Sequence, residues 1–371
     1  MLKAILTIVE VFYSTFRWMM RDLPVYILAL LLLLAPTFAS AVRVNSIYKA
    51  EVPVATQSAK DKALAIPIGL EQVFIKVSGN QQVLENSPSL QTALTHAETV
   101  AKAFNYATTG NNTKNPSYIL TIHYDPDVVN KMLSDAGAPV WSQNRPLLLA
   151  WIVSETANSP PDLVDGSSVS EVQTLLKKSA RTRGLAIILP LMDVTELTQV
   201  SVDDVVKKKV KSLQQAALRY ASNGLILGHI VKKNAEYIGD WTLVLGDDLQ
   251  SWTITGNSLA EVMTGATNNI ADVLATRYAA SGANEVQSQI TLKIRDVKQQ
   301  ADLLRLMKYL QHLTSVAEVQ MTSVVGDEIT IDVSLRGSKD AFVQATGLAK
   351  NLVSLPSTND EDDVLFYKWT P

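Results

Sequence analysis

RGLAIILPLMDVTE (residues 183–196) and LRYASNGLILGHIVKKNAEYIGDWTLVLGDDLQSW (218–252) are the stretches that decide the fold. Residues 186–189 (AIIL) are an apolar run ended by Pro190. A run without polar alternation predicts a strand buried on both faces, the pattern of a parallel sheet. Residues 203–221 place Val206, Val210, Leu213, Ala217 and Tyr220 at the spacing of a helix with one buried face. Lys207, Lys208, Lys209 and Lys211 read as its solvated face. Asn223-Gly224 closes that helix, since both residues tolerate the left-handed conformation of a C-cap. Residues 225–231 are the next apolar strand, and 237–245 with 250–255 read as a hairpin turning at Gly246-Asp247-Asp248. Residues 259–279 form a closing helix.

Upstream, 146–153 (PLLLAWIV) is a further apolar strand and 169–183 a helix. Strand–helix alternation followed by a meander predicts a three-layer mixed sheet with helices on its faces, over residues 142–282. Residues 155–168 (ETANSPPDLVDGSS) are rich in turn formers and read as a surface loop.

Residues 42–141 read as a smaller N-terminal α/β domain. It has a strand in 44–54, a helix over 58–77 that Pro67 kinks or interrupts, and a second helix over 89–106. A polar loop (108–115), a strand (118–124) and a helix starting at Asp125-Pro126-Asp127 follow. Residues 289–355 give strand, helix, hairpin and a helix over 339–352, a small two-layer βαββα unit. Residues 356–371 are an acidic tail around Asp360-Glu361-Asp362-Asp363, in which 364–369 has the character of an edge strand. The fold class is therefore α/β and α+β in three modules.

The chain has 371 residues, is 47% hydrophobic and 19% charged, and carries a net charge of −3. That balance gives no electrostatic case for nucleic acid. With no cysteine, thiol catalysis, thiolate metal sites and disulfides are excluded. Residues 25–35 (VYILALLLLLA) follow Arg21 and precede Ala39-Ser40-Ala41, the small-x-small form of a signal-peptidase site. This predicts export and cleavage after Ala41, with an uncleaved inner-membrane anchor as the alternative. Residues 1–18 are an extension ahead of a start at Met19 or Met20 that gives a signal peptide of ordinary length. Cleavage removes three basic and two acidic residues and leaves −4, without a basic patch aimed at anionic lipid.

Val77-Ser78-Gly79-Asn80, Tyr124-Asp125-Pro126, Gly137-Ala138-Pro139-Val140-Trp141, Arg145-Pro146 with the adjoining LLLAW, Arg183-Gly184-Leu185 and Leu189-Pro190-Leu191-Met192-Asp193 are spaced along the chain. In these pieces the sequence resembles the exported bacterial family called domain of unknown function 2066. The resemblance implies a proteobacterial envelope protein and carries no assigned functional residues. In element order alone, the middle domain is similar to the α/β domains of the TolB N-terminus and the curli secretion lipoprotein, a likeness of fold that says little of function.

His123, Asp125 and Asp127 alternate in sequence, but Pro126 begins a helix there, so capping explains them better than a metal site. His96, His229 and His312 each stand alone, and neither a G-x-S-x-G elbow nor a Gly-rich phosphate loop occurs. Asp240, Asp247 and Asp248 crowd the hairpin as turn chemistry or a weak cation site. No catalytic residue, cofactor or metal is assigned. Trp141 and Trp151 read as a packing seam between the first two domains. Trp241 and Trp252 read as a cross-strand pair; exposed, they would mark an interaction surface. The expected function is a non-enzymatic periplasmic protein acting through protein partners. The alternatives are an envelope enzyme such as a metal-assisted hydrolase, or a ligand- or glycan-binding module using the two tryptophans.

Overall fold

Ser58 opens the first helix, its side chain accepting from the Asp61 amide at 3.1 Å, and Gly79 at φ 71° ends it. In the computed structural model this helix, α1 (Ala59–Ser78), covers an antiparallel sheet. The structure describes residues 42–44, 46–109, 117–156, 159–280, 286, 288–347, 352–356 and 363–370, so the expected signal segment lies outside the described residues. After a short β1 (Val42–Arg43), the sheet is built from β2 (Lys49–Val54), β3 (Ala101–Thr109) and β4 (Ser117–Tyr124) in the order β2-β4-β3. Leu70, Val73 and Phe74 meet Ala50, Val52, Leu120 and Ile122 in its core. Two short helices, α2 (Pro88–Leu94) and α3 (Pro126–Asp135), complete the module.

Two expectations are corrected here. Pro67 lies inside α1 without interrupting it. The hydrogen bond it forgoes would go to the carbonyl of Ala63, a residue exposed to solvent. Residues 101–109 are a strand, although the sequence predicts the end of a helix through 106: Phe104 and Tyr106 lie opposite Ile122 and Leu120, and cross-strand pairing outweighs the local helical period.

A two-residue β5 (Asn144–Arg145), paired with β1, leads into the central sheet. Its strands are β6 (Leu147–Thr156), β7 (Ser159–Leu163), β8 (Ala186–Ile188), β9 (Gly224–Lys233), β10 (Glu236–Leu245) and β11 (Asp248–Gly256). The order is β11-β10-β9-β6, with β7 and β8 sharing the far side of β6. Only β8 and β9 run parallel to β6. Leu148, Ala150 and Ile152 face α4 (Glu171–Arg183) and the long closing helix, while Leu149, Trp151 and Val153 face the opposite layer of helices. That layer is α5 (Val194–Gln199), α6 (Val202–Val206) and α7 (Val210–Ala217), and the closing helix is α8 (Leu259–Tyr278). The three-layer mixed sheet is as the sequence predicts.

Several details differ. β8 is half-buried, because it pairs with β6 alone and borders the sheet. Residues 203–221 break at Lys208 (φ 51°), between α6, which a Ser201–Asp204 capping box starts, and α7. The left-handed residue that ends the segment is Ala221 (φ 47°). Gly224 instead opens β9, where a Cβ would lie 2.6 Å from the Val244 carbonyl. Residues 159–163 form a strand despite Pro160-Pro161, which an edge position permits.

The C-terminal module has β12 (Ser288–Arg295), α9 (Gln300–Gln311), β13 (Val316–Val325), β14 (Glu328–Leu335), α10 (Lys339–Thr346), β15 (Leu352–Ser354) and β16 (Val364–Trp369). The helix expected over 339–352 stops at Thr346. Residues 364–369 are no tail: β16 lies between β12 and β15 and runs parallel to β12, with Tyr367 and Trp369 buried in the module's core.

The modules meet around two buried arginines. Arg145 stacks on the Trp141 ring, 3.4 Å from its centroid, and donates to the Lys76 carbonyl at 2.8 Å and the Trp141 carbonyl at 3.2 Å. Arg183 donates to the Gly79 carbonyl (2.8 Å), Asp272 (2.7 Å) and the Asn268 side chain (2.9 Å). On the third side, Trp141 Nε1 donates to Gln344 at 3.3 Å, and Asn144 to the Ala345 carbonyl at 2.8 Å. Arg277 joins Asp340 at 3.0 Å.

This packing sets two expected outcomes. A Cβ on Gly79 would lie 2.3 Å from Ala275 Cβ at a positive φ, whereas Gly137 has equal φ strain and open space. Gly79→Ala is expected to lower the unfolding free energy by about 3 kcal/mol in urea, against about 1 kcal/mol for Gly137→Ala. Lys76 is buried, with its ammonium on the Lys49 carbonyl at 2.7 Å; burial pulls its pKa down to about 8, with Glu51 opposing and Arg181 adding to the shift. Its folded pKa lies below its unfolded value near 10.5, so the penalty is complete below pH 8 and disappears as pH rises toward 10.5. Stability is expected to rise by about 3 kcal/mol across that window, and Lys76→Met to remove the rise in pH-resolved urea unfolding.

Candidate functional site

The structure scatters most of the candidate residues. Asp125 caps α3, accepting from the Asp127 amide at 3.0 Å, and pairs with Lys102 at 2.7 Å. The Lys102 bond holds its carboxyl below the ordinary range. His123 lies on the neighbouring strand, where burial and Lys49 lower its pKa. Among the described residues, His96 bonds to Thr95 and His312 to the Lys308 carbonyl. Among the described residues, no three side chains are grouped to hold a metal ion.

Trp241 and Trp252 are opposite each other across the β10–β11 hairpin. Trp241 is wholly buried, and Trp252 is half-buried against the same core. A Cβ at Gly228 or Gly239 would lie 2.5 Å from the Trp241 ring, so both neighbours are bare to make room for the indole. Trp241 is thus a packing residue, while Trp252 keeps part of its ring in solvent.

One histidine does acquire company. β6 and β9 run side by side, and their carboxyl ends place His229 Nε2 3.4 Å from Glu155. Asp240 is directly across from His229 on β10 and accepts from Thr253 at 2.6 Å. In sheets of this kind, ligands favour the carboxyl ends of parallel strands.

Exposed aliphatic side chains flank the central sheet as well. Val169 (91% exposed) lies just before α4, Leu191 (53%) comes after β8, Val194 (80%) and Leu197 (63%) lie one turn apart on α5, and Leu218 (58%) comes after α7. Hydrogen bonds tie these segments together. The Gly166 amide donates to the Pro190 carbonyl at 2.7 Å, and the Leu191 amide to the Tyr220 hydroxyl at 2.8 Å. Tyr220 in turn donates to the buried Glu196 carboxylate at 2.5 Å, which also takes the Met192 amide at 2.7 Å. Arg219 clamps Asp193 through two bonds of 3.0 and 2.8 Å, and Asp193 caps α5 by accepting the Glu196 amide. That Arg219 bond keeps the Asp193 carboxyl low, while burial and then Glu196 push the Tyr220 pKa up. Met192 is held at φ 52° within this network. Sequence reading missed this surface because single exposed Val and Leu residues give no signal until the fold gathers them.

Two cavities lie elsewhere. One of about 340 Å³ borders Gly79 and Asp272 at the module junction. Another of about 310 Å³ lies on the open face of the C-terminal sheet, between Glu318, Asp332 and Asp363.

Residues 41–142 match a family model described as Domain of unknown function (DUF8605). This overturns the resemblance to domain of unknown function 2066. The pieces that carried the resemblance turn out to be caps, turns and junction residues, such as the left-handed Gly79 and the Asp125 cap, which many unrelated chains require. The matched span coincides with the N-terminal module, from its first strand to just past Trp141. No curated protein matches the chain, and no solved structure matches it. Among the described residues, no helix is long and apolar enough to cross a membrane.

Tyr220→Phe deletes the hydroxyl that joins Leu191 to Glu196 and leaves Arg219–Asp193 in place. It is expected to cost about 1–2 kcal/mol and to speed amide exchange at Leu191 and Met192 by about tenfold, read by hydrogen–deuterium exchange.

Proposed function

We propose that the protein is a non-enzymatic exported protein of the bacterial cell envelope, working through protein–protein contacts in a periplasmic assembly. The observation that carries this reading is the exposed aliphatic surface around α5. An exposed apolar patch on a rigid scaffold is the mark of an interaction site, and preorganisation reduces the ordering cost of binding. The three modules add to the case, because buried arginines and shared hydrogen bonds join them into a body that presents that surface in a fixed direction. The apolar 25–35 run and the Ala39-Ser40-Ala41 site support export.

A second reading, an envelope hydrolase, draws on Glu155, His229 and Asp240 at the strand ends. In-cell photocrosslinking separates the two. A photoreactive residue at Val194 is expected to trap a defined protein adduct, and one at exposed Leu64 on α1 to trap none. Absence of any Val194 adduct, with substrate turnover abolished by His229→Ala, would replace the assembly reading with the hydrolase.

A further inference from the structure

The edge of a sheet exposes amides and carbonyls that can take up another strand, and folded proteins guard it with prolines, charges, bulges or very short strands. Among the described residues, the edge strands of this chain carry such guards with one exception. β1 and β5 have two residues each. In the N-terminal sheet, β2 has Lys49, Glu51 and Pro53, and β3 has Lys102 within a register shift. In the C-terminal sheet, β13 has two register shifts and β15 is three residues long. On one side of the central sheet, β7 carries Pro160-Pro161 and β8 has three residues. The other side is β11, nine residues in unbroken register with β10. From Leu249 to Gly256 it has neither charge nor proline. Among the described residues, no strand lies beyond it and no backbone bond ties it to a loop.

The side chains of this strand suit one mate in particular. Residues 251–255 read Ser-Trp-Thr-Ile-Thr. Trp252 and Ile254 pack against the core that α8 covers, and both are only half-buried. Ser251, Thr253 and Thr255 alternate with them and are exposed. Read backwards, the stretch keeps its hydroxyls and its apolar residues in the same places. An antiparallel second copy centred on Thr253 therefore sets Trp252 against Ile254 and Ser251 against Thr255, each pair twice. Aromatic with β-branched and hydroxyl with hydroxyl are favourable cross-strand pairs, and with no charge in the stretch none meets its like. A two-fold contact requires such self-complementarity. Pairing also closes at two copies, because the far side of the sheet is guarded by the β7 prolines and the shortness of β8. We infer that two copies of this chain join at β11, antiparallel about a two-fold axis through Thr253, into one continuous sheet. This rests on the strand edge and not on the surface around α5, so it stands apart from the function proposed above.

The chain has no cysteine, so an introduced one reports the register directly. Opposed residues of antiparallel strands have Cα atoms about 5 Å apart, within disulfide reach. Thr253→Cys is expected to oxidise to a covalent dimer. Ser251→Cys alone is expected not to, since the two thiols would be roughly 13 Å apart, whereas Ser251→Cys mixed with Thr255→Cys is expected to cross-link. Sedimentation velocity on the purified wild type is expected to show reversible dimerisation with a dissociation constant on the order of micromolar. Ser251→Lys/Thr255→Lys sets lysine against lysine and is expected to weaken the dimer at least tenfold. Ser251→Lys/Thr255→Glu sets opposite charges together and is expected to keep it, which general damage to the fold would not do. A wild type that stays monomeric at about 100 μM overturns the inference. So does a dimer that fails to cross-link through position 253 or ignores the sign of the charge at 255. A photoreactive residue at 253 that traps only a different protein in cells overturns it as well.

Discussion

The structure depends on a guanidinium held away from water. Arg145 is wholly buried, and burial depresses its pKa, with Tyr48 opposing and Arg183 adding to the effect. Removing such a charge from water costs several kcal/mol unless its surroundings replace the solvent. Here they consist of the Trp141 face, the Trp141 carbonyl and the Lys76 carbonyl, which with the Gly79 carbonyl lies at the end of α1. The α1 carbonyls sit at the negative end of a helix dipole, where a cation is favoured. Arg183 uses the same device from the end of α4, reaching the Gly79 carbonyl. The C-terminus of one helix is thus capped from outside by two arginines belonging to the next module. Gly79 lies between them because the left-handed turn and the closeness of Ala275 leave no room for a side chain.

From that fixed point the central sheet starts in register. Arg145 ends β5, and β6 begins two residues later, its first amide received by the Asn223 side chain at 2.7 Å. The sheet is parallel where helices cross over it and antiparallel where a hairpin suffices. Its large aromatics are spent inside, Trp241 over Gly228 and Gly239, and Trp151 under the α5–α7 layer. The surface around α5 is aliphatic, and its shape comes from hydrogen bonds to Glu196 and Asp193 instead of from aromatic packing.

How much of the fold is legible in the sequence depends on the range of the forces involved. Strands with apolar runs on both faces, such as 147–153, announce themselves, and so does a capped amphipathic helix such as α4. Each is decided by its own pattern. The errors fall where the deciding partner is distant in sequence. Residues 101–109 are a strand because β4 pairs with them, and 364–369 join the C-terminal sheet because β12 does. Within 203–221, a left-handed turn at Lys208 interrupts a hydrophobic period that a longer helix would also satisfy. The site is the least legible part. Its apolar residues come from four separate segments, and Glu196 reads in sequence as an ordinary surface carboxylate. Its burial shows only once Tyr220 and Met192 close over it.

The bounds of the matched family span carry a last implication. The match ends at residue 142, so it includes Trp141 and the carbonyls of α1 but neither Arg145 nor Arg183. The N-terminal module by itself therefore holds half of each junction contact: an aromatic face and two helix-end carbonyls directed at cations it does not contain. Its own core is complete without them, since Leu70, Phe74, Leu120 and Ile122 pack within the module. The module is built to fold around its own helix and sheet, yet to take its orientation from a neighbouring domain. In this chain the central domain supplies that orientation through two arginines. The central sheet inherits its direction relative to the N-terminal module from that pair.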